Sequence, residues 1–456
     1  MTTERLAGEA EQFLASNPDV TSIQTILTDA TGVGRGKSLR RNELARLFTH
    51  GSPLPISILG VDITGADVAE TGLVWDDGDP DRTCYPVPGT LQRSPWLTPP
   101  TAQVLVTMHD ADGSPTAGDP RHVLHRVLDR FREIELTPVV AIELEFYLID
   151  RQRDGLGRPQ PPASPLTGYR PRHLAPYSLD DLADQSPFLA ELFESCATQG
   201  LPVRTLISEY APGQLEIALL HRPEAMHAAD EAVMYKRLVR GVASKHGFEA
   251  TFMAKPYEDR SGSGMHMHMS LQNRHGINAF ASENPEGTPL MRHAIAGMLL
   301  TMAECVGVFA PNANSFRRFR RNSYVPLAPS WGVNNRTVAL RIPADSPDSR
   351  HVEHRVAGAD ANPYLAAAAM LAGAHYGIVH RLDPGPPVSG NAYAQLAQTL
   401  PTNWHAALDL TAASELLRDY LGGRFIEIYT AIKRAEQDRF FARVTELDFD
   451  WYVRTA

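Results

Sequence analysis

Apolar and polar positions alternate along some stretches of this chain and recur with helical spacing along others. Val20–Thr28 (VTSIQTILT) is apolar and partly alternating, then breaks at Asp29-Ala-Thr-Gly32, which predicts a strand running into a turn. Two further short apolar runs, Pro55–Val61 and Ala102–Met108, are separated by the Pro- and Gly-rich Tyr85–Pro100. Together they predict an N-terminal tail (residues 1–14) and a small sheet-containing domain (residues 15–114). Asp119-Pro120 then supplies an N-cap and a first-turn proline ahead of the helical periodicity of His122–Phe131. The boundary falls near residue 115, and residues 115–456 form one long domain mixing helices with strands. Residues 150–176, rich in Pro, Gly and Arg, read as a surface loop. The most apolar windows, Ala294–Ala310 and Leu365–Val379, are too short or are interrupted by Glu304 or His375, which predicts buried helices and no membrane span.

The same alternation exposes the candidate chemistry. On a strand, residues i and i+2 face the same way. In Val139–Ile149 (VVAIELEFYLI), Glu143 and Glu145 share a face and Ile142, Leu144 and Phe146 take the other. Two carboxylates side by side in an apolar strand are tolerable when a cation or a proton neutralises them. Gln214–Leu220 carries Glu216, with Glu209 just upstream. Met265–Ser270 (MHMHMS) puts His266, His268 and Ser270 on one face, and His351–Val356 puts Glu353 and Arg355 on one side. A sheet with one solvated face explains one such strand; four together fit a curved sheet or barrel around a polar cavity. Five glutamates and a histidine suit two hard divalent ions, Mg²⁺ or Mn²⁺.

Positive charge concentrates in Arg317, Arg318, Arg320 and Arg321, followed by Arg336 and Arg341. Arg341 lies in the apolar run TVALRIP, where a guanidinium needs an anionic partner. Metals, arginines and a carboxylate cage suggest phosphoryl transfer, in which positioning and charge neutralisation supply most of the catalysis. The whole chain of 456 residues has 43 Lys plus Arg against 53 Asp plus Glu, a formal charge of −10. That balance argues against nucleic acid as the main partner, because phosphate-backbone binding runs on clustered cations. The opening MTTERLAGEAEQ does not read as a secretory signal. Three widely spaced cysteines (Cys84, Cys196, Cys305) give neither a disulfide framework nor a CxxC site, and a soluble cytoplasmic protein is expected. Thr31-GVGR-Gly36-Lys37-Ser38 ends like a phosphate-binding P-loop. It lacks the first glycine and the following helix, so a β-hairpin with a basic flank is expected instead.

Several of these residues lie in ordered motifs: Glu143-Leu-Glu145, Pro212-Gly-Gln-Leu-Glu216, Lys255-Pro256, Gly262-Ser-Gly-Met-His266, Asn335-Arg336, Arg341-Ile-Pro343 and Asn362-Pro-Tyr364. In this order the chain resembles the glutamine synthetase family over nearly its whole length, and within it the γ-glutamylputrescine synthetase branch. The resemblance implies an α+β architecture: an N-terminal β-grasp domain and a glutamine-synthetase catalytic domain built on a curved antiparallel sheet with flanking helices. It implies an ATP-dependent ligase joining the γ-carboxylate of L-glutamate to a primary amine, with putrescine favoured, through γ-glutamyl phosphate. Spermidine, ethanolamine, a monoalkyl or aromatic amine, or ammonia are the alternatives, and a two-metal phosphohydrolase is a rival of another class. Two or more Mg²⁺ or Mn²⁺ per site and a homo-oligomer of two stacked hexamers are also implied.

By the same resemblance, Glu145, Glu209 and Glu216 would hold one metal, and Glu143, His266 and Glu353 the other. Arg318 would bind the glutamate carboxylate, which Gly262 approaches through its backbone. Arg336, Arg341 and Arg355 would stabilise the phosphates, and Lys255, His268 and Ser270 would lie near the nucleotide. Three positions depart from ammonia-using members. Ser261 replaces an Asn, Tyr324 stands where a site-closing glutamate is expected, and Asp62-Ile-Thr-Gly65 replaces Asp-Gly-Ser-Ser. A phenol cannot supply a carboxylate's charge at neutral pH, so Tyr324 would line a site for a larger amine. Asp62, supplied by a neighbouring subunit, becomes the candidate for holding or deprotonating that amine. Tyr393 lies where some family members are adenylylated, but its surroundings do not match, and that modification is not expected.

Overall fold

The computed structural model describes residues 3–456, with side chains from Gly8 onward. Thr3–Ser16, covering most of the expected tail, is a helix; residues 1 and 2 lie outside the described residues. Two sheets follow. In the first, Ser22–Thr28 and Thr101–His109 run parallel at the centre, and Asp81–Pro86 and Ser52–Pro55 extend the sheet antiparallel beyond Thr101–His109. Eight of the nine residues of Thr101–His109 are buried, as a central parallel strand requires. Leu44, Leu47 and Phe48 of the Leu44–His50 helix close a core with Ile23, Leu27, Val104 and Met108.

Two local expectations meet different outcomes here. The P-loop-like segment is the expected hairpin: Gly34–Arg35 and Ser38–Arg40 both pair antiparallel with Ser22–Thr28. Gly36 serves that hairpin, because a Cβ there would lie 1.8 Å from the Thr25 carbonyl oxygen. The apolar run Pro55–Val61, by contrast, is not a continuous strand. It leaves the sheet after Pro55 and becomes a 3₁₀ turn over Ile56–Leu59, where Asp79 accepts from both the Ser57 amide (2.9 Å) and hydroxyl (3.0 Å).

The second sheet holds eight strands, in the order Trp331–Val333, Leu340–Ile342, Val352–His354, Met265–Asn273, Leu136–Asp150, Gln214–Leu219 and Val203–Ser208, with Phe248–Thr251 also on Leu136–Asp150. All neighbours are antiparallel except the first pair. Between the sheets, Asp119 caps Pro120–Glu133, accepting from the Arg121 amide. Long helices cover the outer face of the large sheet. Pro289–Phe309 runs through Glu304 for 21 residues and is long and apolar enough to cross a membrane. Two-thirds of its apolar window is buried against the protein, and it packs on Pro363–Val379 as a core helix. The two halves of the chain are joined where Asn362 Nδ2 donates to the Asp29 carbonyl (2.9 Å).

Candidate active site

The strand alternation builds the site. Ile142, Leu144, Phe146, Met265, Met267 and Met269 are each at most 1% exposed and face the helices. The intervening residues therefore face the other way. Cross-strand register sets Glu143 opposite His266, Glu145 opposite Glu216, His268 opposite Glu353, and Glu353 opposite Arg341. Four adjacent strands thus deliver the acids and imidazoles to one surface, and a fifth adds a guanidinium.

Around Glu143 and Glu353 the acids have positive partners. Arg341 Nη1 donates to Glu353 Oε2 at 2.9 Å, and Arg355 donates to the other oxygen. His266 Nδ1 lies 3.7 Å from both Glu143 and Glu353. His268 Nε2 lies 3.1 Å from Glu143, off hydrogen-bond alignment, and its Nδ1 is 3.0 Å from His351 Nε2. Burial alone would raise the Glu143 carboxyl, but the neighbouring His268 and His266 hold it far below the carboxylate range. Burial likewise opposes ionisation of Glu353, and Arg355, His266, His268 and Arg341 override it, taking it down to about 2.

Around Glu209 and Glu216 the neighbours are other acids. Burial, then Glu143, Glu145 and Glu209, push Glu216 up to about 10. Burial and Glu145 push Glu209 up to about 7. Glu145 is oriented by hydrogen bonds from the Gly264 amide (3.0 Å) and Gln214 Nε2 (3.1 Å). Such a cluster is short of positive charge, which a divalent cation supplies.

Two sets of donor atoms lie within 4.8 Å of one another: Glu143, Glu216 and His266, and Glu143, His268 and Glu353. Carboxylates with one imidazole fit Mg²⁺ or Mn²⁺. The grouping differs from the expected one. Glu143 belongs to both sets, His268 joins a set instead of standing apart with the nucleotide residues, and Glu145 and Glu209 fall outside both at this spacing. His268 joins the second set because it is directly opposite Glu353.

Arg318 is 4% exposed and extends past three glycines toward Glu145. A Cβ on Gly262 would meet Arg318 Cγ at 2.6 Å and the Ala254 carbonyl at 2.7 Å, so the guanidinium reaches the site only over a bare backbone. The buried Nε–H groups of Arg318, Arg341 and Arg355 have no acceptor among the described residues.

Other expected residues lie elsewhere. Arg336 is exposed on a loop, with no ion pair among the described residues, because it stands beyond the strand pairing that holds Arg341. The Lys255 ammonium is bound to the Arg260 carbonyl, and burial lowers its pKa. Ser270 continues the His266–His268 face without a hydrogen bond of its own among the described residues. The Ser261 carbonyl accepts from Tyr147 (2.8 Å). Tyr324 is 55% exposed, with φ +59° in the 321–325 loop.

Asp62 is engaged within its own chain. It is fully buried, and one oxygen accepts from the Thr64 amide and hydroxyl and the Ala66 amide, while the other pairs with Arg439. Burial would raise its pKa, but these partners hold it below the usual range. A carboxylate so engaged is a turn organiser and a poor proton acceptor. The Tyr393 hydroxyl, only 7% exposed as a residue, donates to the Val325 carbonyl (2.8 Å) and faces inward.

Gln214 and His351 were not singled out by the sequence. Gln214 is 1% exposed and joins Glu145 to the Gly262 carbonyl. Both have the parity of a named acid, Gln214 with Glu216 and His351 with Glu353, and that signal was present in the sequence.

A curved sheet with paired carboxylate–imidazole sets, ringed by buried arginines, defines a site for metal-assisted chemistry on an anionic substrate. Residues 117–452 match the family model for the glutamine synthetase catalytic domain. The chain is 42% identical to γ-glutamylputrescine synthetase of Escherichia coli (strain K12), over 98% of this chain and 95% of that protein. It is 32% identical to a glutamate–isopropylamine ligase of a Pseudomonas species, covering 91% of each. A solved GmaS/ADP complex superposes with a TM-score of 0.84 at 26% identity, covering 98% of this chain and 99% of that one. The chain belongs to the glutamine synthetase family, and it is a ligase of the glutamate–amine class.

Proposed function

We propose that this enzyme couples ATP hydrolysis to amide formation between the γ-carboxylate of L-glutamate and a primary amine, with putrescine preferred. The observation that carries this reading is the ring of unsatisfied Nε–H donors on Arg318, Arg341 and Arg355 around the acid cluster. Among the described residues they have no acceptor, and an anionic substrate would supply one. The glutamate γ-carboxylate oxygen attacks the γ-phosphorus of ATP, the bond to the β–γ bridging oxygen breaks, and γ-glutamyl phosphate and ADP result. A neutral amine then attacks the acyl carbon, phosphate leaves, and the nitrogen gives up a proton. Divalent cations held by Glu143, Glu216 and His266, and by Glu143, His268 and Glu353, neutralise phosphate charge when bound. Arg318 orients the glutamate, while Arg341 and Arg355 exchange part of their hold on Glu353 for phosphoryl oxygens. Glu145 and Glu209 complete the acidic wall. Ser270 extends the His266–His268 face along its strand, while Lys255 and Arg336 come into play only if nucleotide binding draws their loops inward.

Putrescine is supported by the 42% identity to the E. coli enzyme and by the net charge of −10, which attracts a dication. Tyr324 offers an aromatic, uncharged wall to the amine. An assembly of two stacked hexamers is supported by the C-terminal surface, where Phe441, Phe449 and Trp451 are 57%, 58% and 59% exposed. Three buried, unpaired cysteines suit a reducing cytoplasm.

The test is phosphate release, which should require ATP, Mg²⁺ or Mn²⁺, glutamate and an amine together. Product masses from a mixed pool of putrescine, spermidine, ethanolamine, isopropylamine and ammonia identify the amine. Ammonia used as well as putrescine would reject the amine assignment, and ATP hydrolysis without glutamate would reject the ligase.

A further inference from the structure

Away from the acid cluster, a cavity of about 840 Å³ opens between the Ile26–Gly34 hairpin region, the Ala225–Lys245 helix and the loop around Asn312. None of the glutamates or histidines of the reaction site lines it. In a protein with an excess of acids, its charge is reversed: five Lys and Arg side chains line it against one carboxylate, Asp360. Two of the five are already neutralised, Lys245 by Glu191 and Lys433 by Glu436. Lys236, Arg237 and Arg240 have no acidic partner within 4.0 Å among the described residues.

Lys236 and Arg240 are one helical turn apart and so project from the same face. They converge on one ring, with Lys236 Nζ 5.4 Å and Arg240 Cζ 5.2 Å from the Phe252 centroid. Lys236 is 8% exposed, and its ammonium has a single hydrogen bond, to the Ala361 carbonyl at 3.2 Å. Two of its three donors are therefore free beside the cavity. Arg240 makes no hydrogen bond to any described residue. Arg237 donates only to the neutral Gln103 and Gln24 side chains. Asp360 forms no ion pair with Lys236 or Arg240: one of its oxygens is taken by Asn312 and Ser315, and the other, buried and without a hydrogen bond, offsets only part of the charge on this wall. Burial, and then the Arg240 charge, push the Lys236 ammonium down to about 7. Two like charges held together at an open, partly apolar wall lack a counter-ion.

We infer that this cavity is a binding site for a small dianion, a dicarboxylate or a phosphate, gripped by the Arg240 guanidinium and the Lys236 ammonium over the Phe252 ring. A guanidinium fork takes a carboxylate or phosphate through two donors. Trp96, Leu97 and Ile26 in the same wall accommodate a short hydrocarbon chain between two carboxylates. The site is a regulatory or storage position distinct from the reaction centre, and it stands whichever amine the enzyme uses.

The test is calorimetric titration of the full-length protein with succinate in one arm and inorganic phosphate in the other, at constant ionic strength in chloride. One saturable event per chain is expected. It should weaken at least tenfold in Arg240→Glu, persist partly in Arg240→Lys, and remain in Glu353→Gln, whose reaction site is disabled. Because phosphate is also a product, only the component sensitive to Arg240 counts. Succinate binding alone assigns the site to dicarboxylates, and phosphate binding alone to phosphates. The inference is overturned if neither anion gives an Arg240-sensitive event. It is also overturned if Arg240→Glu splits the oligomer while neither anion binds, since the cavity would then be filled by a second copy of the chain.

Discussion

Two neighbouring groups of carboxylates on one sheet are held in opposite electrostatic states. Glu143 and Glu353 are surrounded by His266, His268, Arg341 and Arg355 and ionise readily. Glu209 and Glu216 are surrounded by burial and other acids and hold their protons to about 7 and about 10. Residue type does not separate them, since all four are glutamates. Position in the register does. The difference teaches that the first group already has positive partners from the chain itself, while the second is neighboured mainly by acids and depends more heavily on a bound cation.

Removing an acid from each group should therefore have unlike consequences. The largest effect is expected for Glu353→Gln. Turnover should drop by ~10³-fold, as for loss of a central electrostatic group. Thermal unfolding should show a loss of about 3 kcal/mol, because Arg341 and Arg355 lose a buried counter-charge. Glu216→Gln should cost a similar order of turnover, yet leave the metal-free protein as stable as the parent or more so at pH 8. Equal destabilisation by the two variants would break the comparison.

A pH series in EDTA sharpens it further. Burial and the neighbouring acids keep a proton on Glu216 up to about 10 in the folded chain, whereas the unfolded chain releases it near the ordinary glutamate value of 4.5. The folded state binds more protons across that interval, so stability falls as pH rises through it. The unfolding temperature should decline from pH 5 to pH 9. The decline should be shallower in Glu216→Gln, and in the parent when Mg²⁺ replaces the proton. The smallest effect is expected for Tyr324→Glu, which should move the ratio of kcat/KM for ammonia over putrescine upward by about tenfold, the scale of one well-placed charge.

Much of this site was legible in the sequence because strand parity survives without a structure. Glu143, Glu145, Glu216, His266, His268 and Glu353 all follow from the two-residue repeat, and the strands carrying them are adjacent as expected. Gln214 and His351 obey the same repeat, but a lone amide or a strand-end imidazole carries no sign in sequence of the side chain it will face. Which acids would ionise was not legible, since that depends on residues far apart in sequence, such as Arg341 opposite Glu353. The fate of Asp62 depended on Arg439, 377 residues away. Pro55–Val61 misled because its hydrophobicity is that of a strand, while Asp79 holds it in a turn.

The interleaving of Met265, Met267 and Met269 with His266 and His268 has a consequence for how this enzyme can change. Each step along that strand passes from oil to electrolyte, so an insertion or deletion of one residue would exchange core and chemistry along its whole length. Lineages that adopt new amines are thus confined to remodelling loops such as 321–325, where no ladder fixes the count.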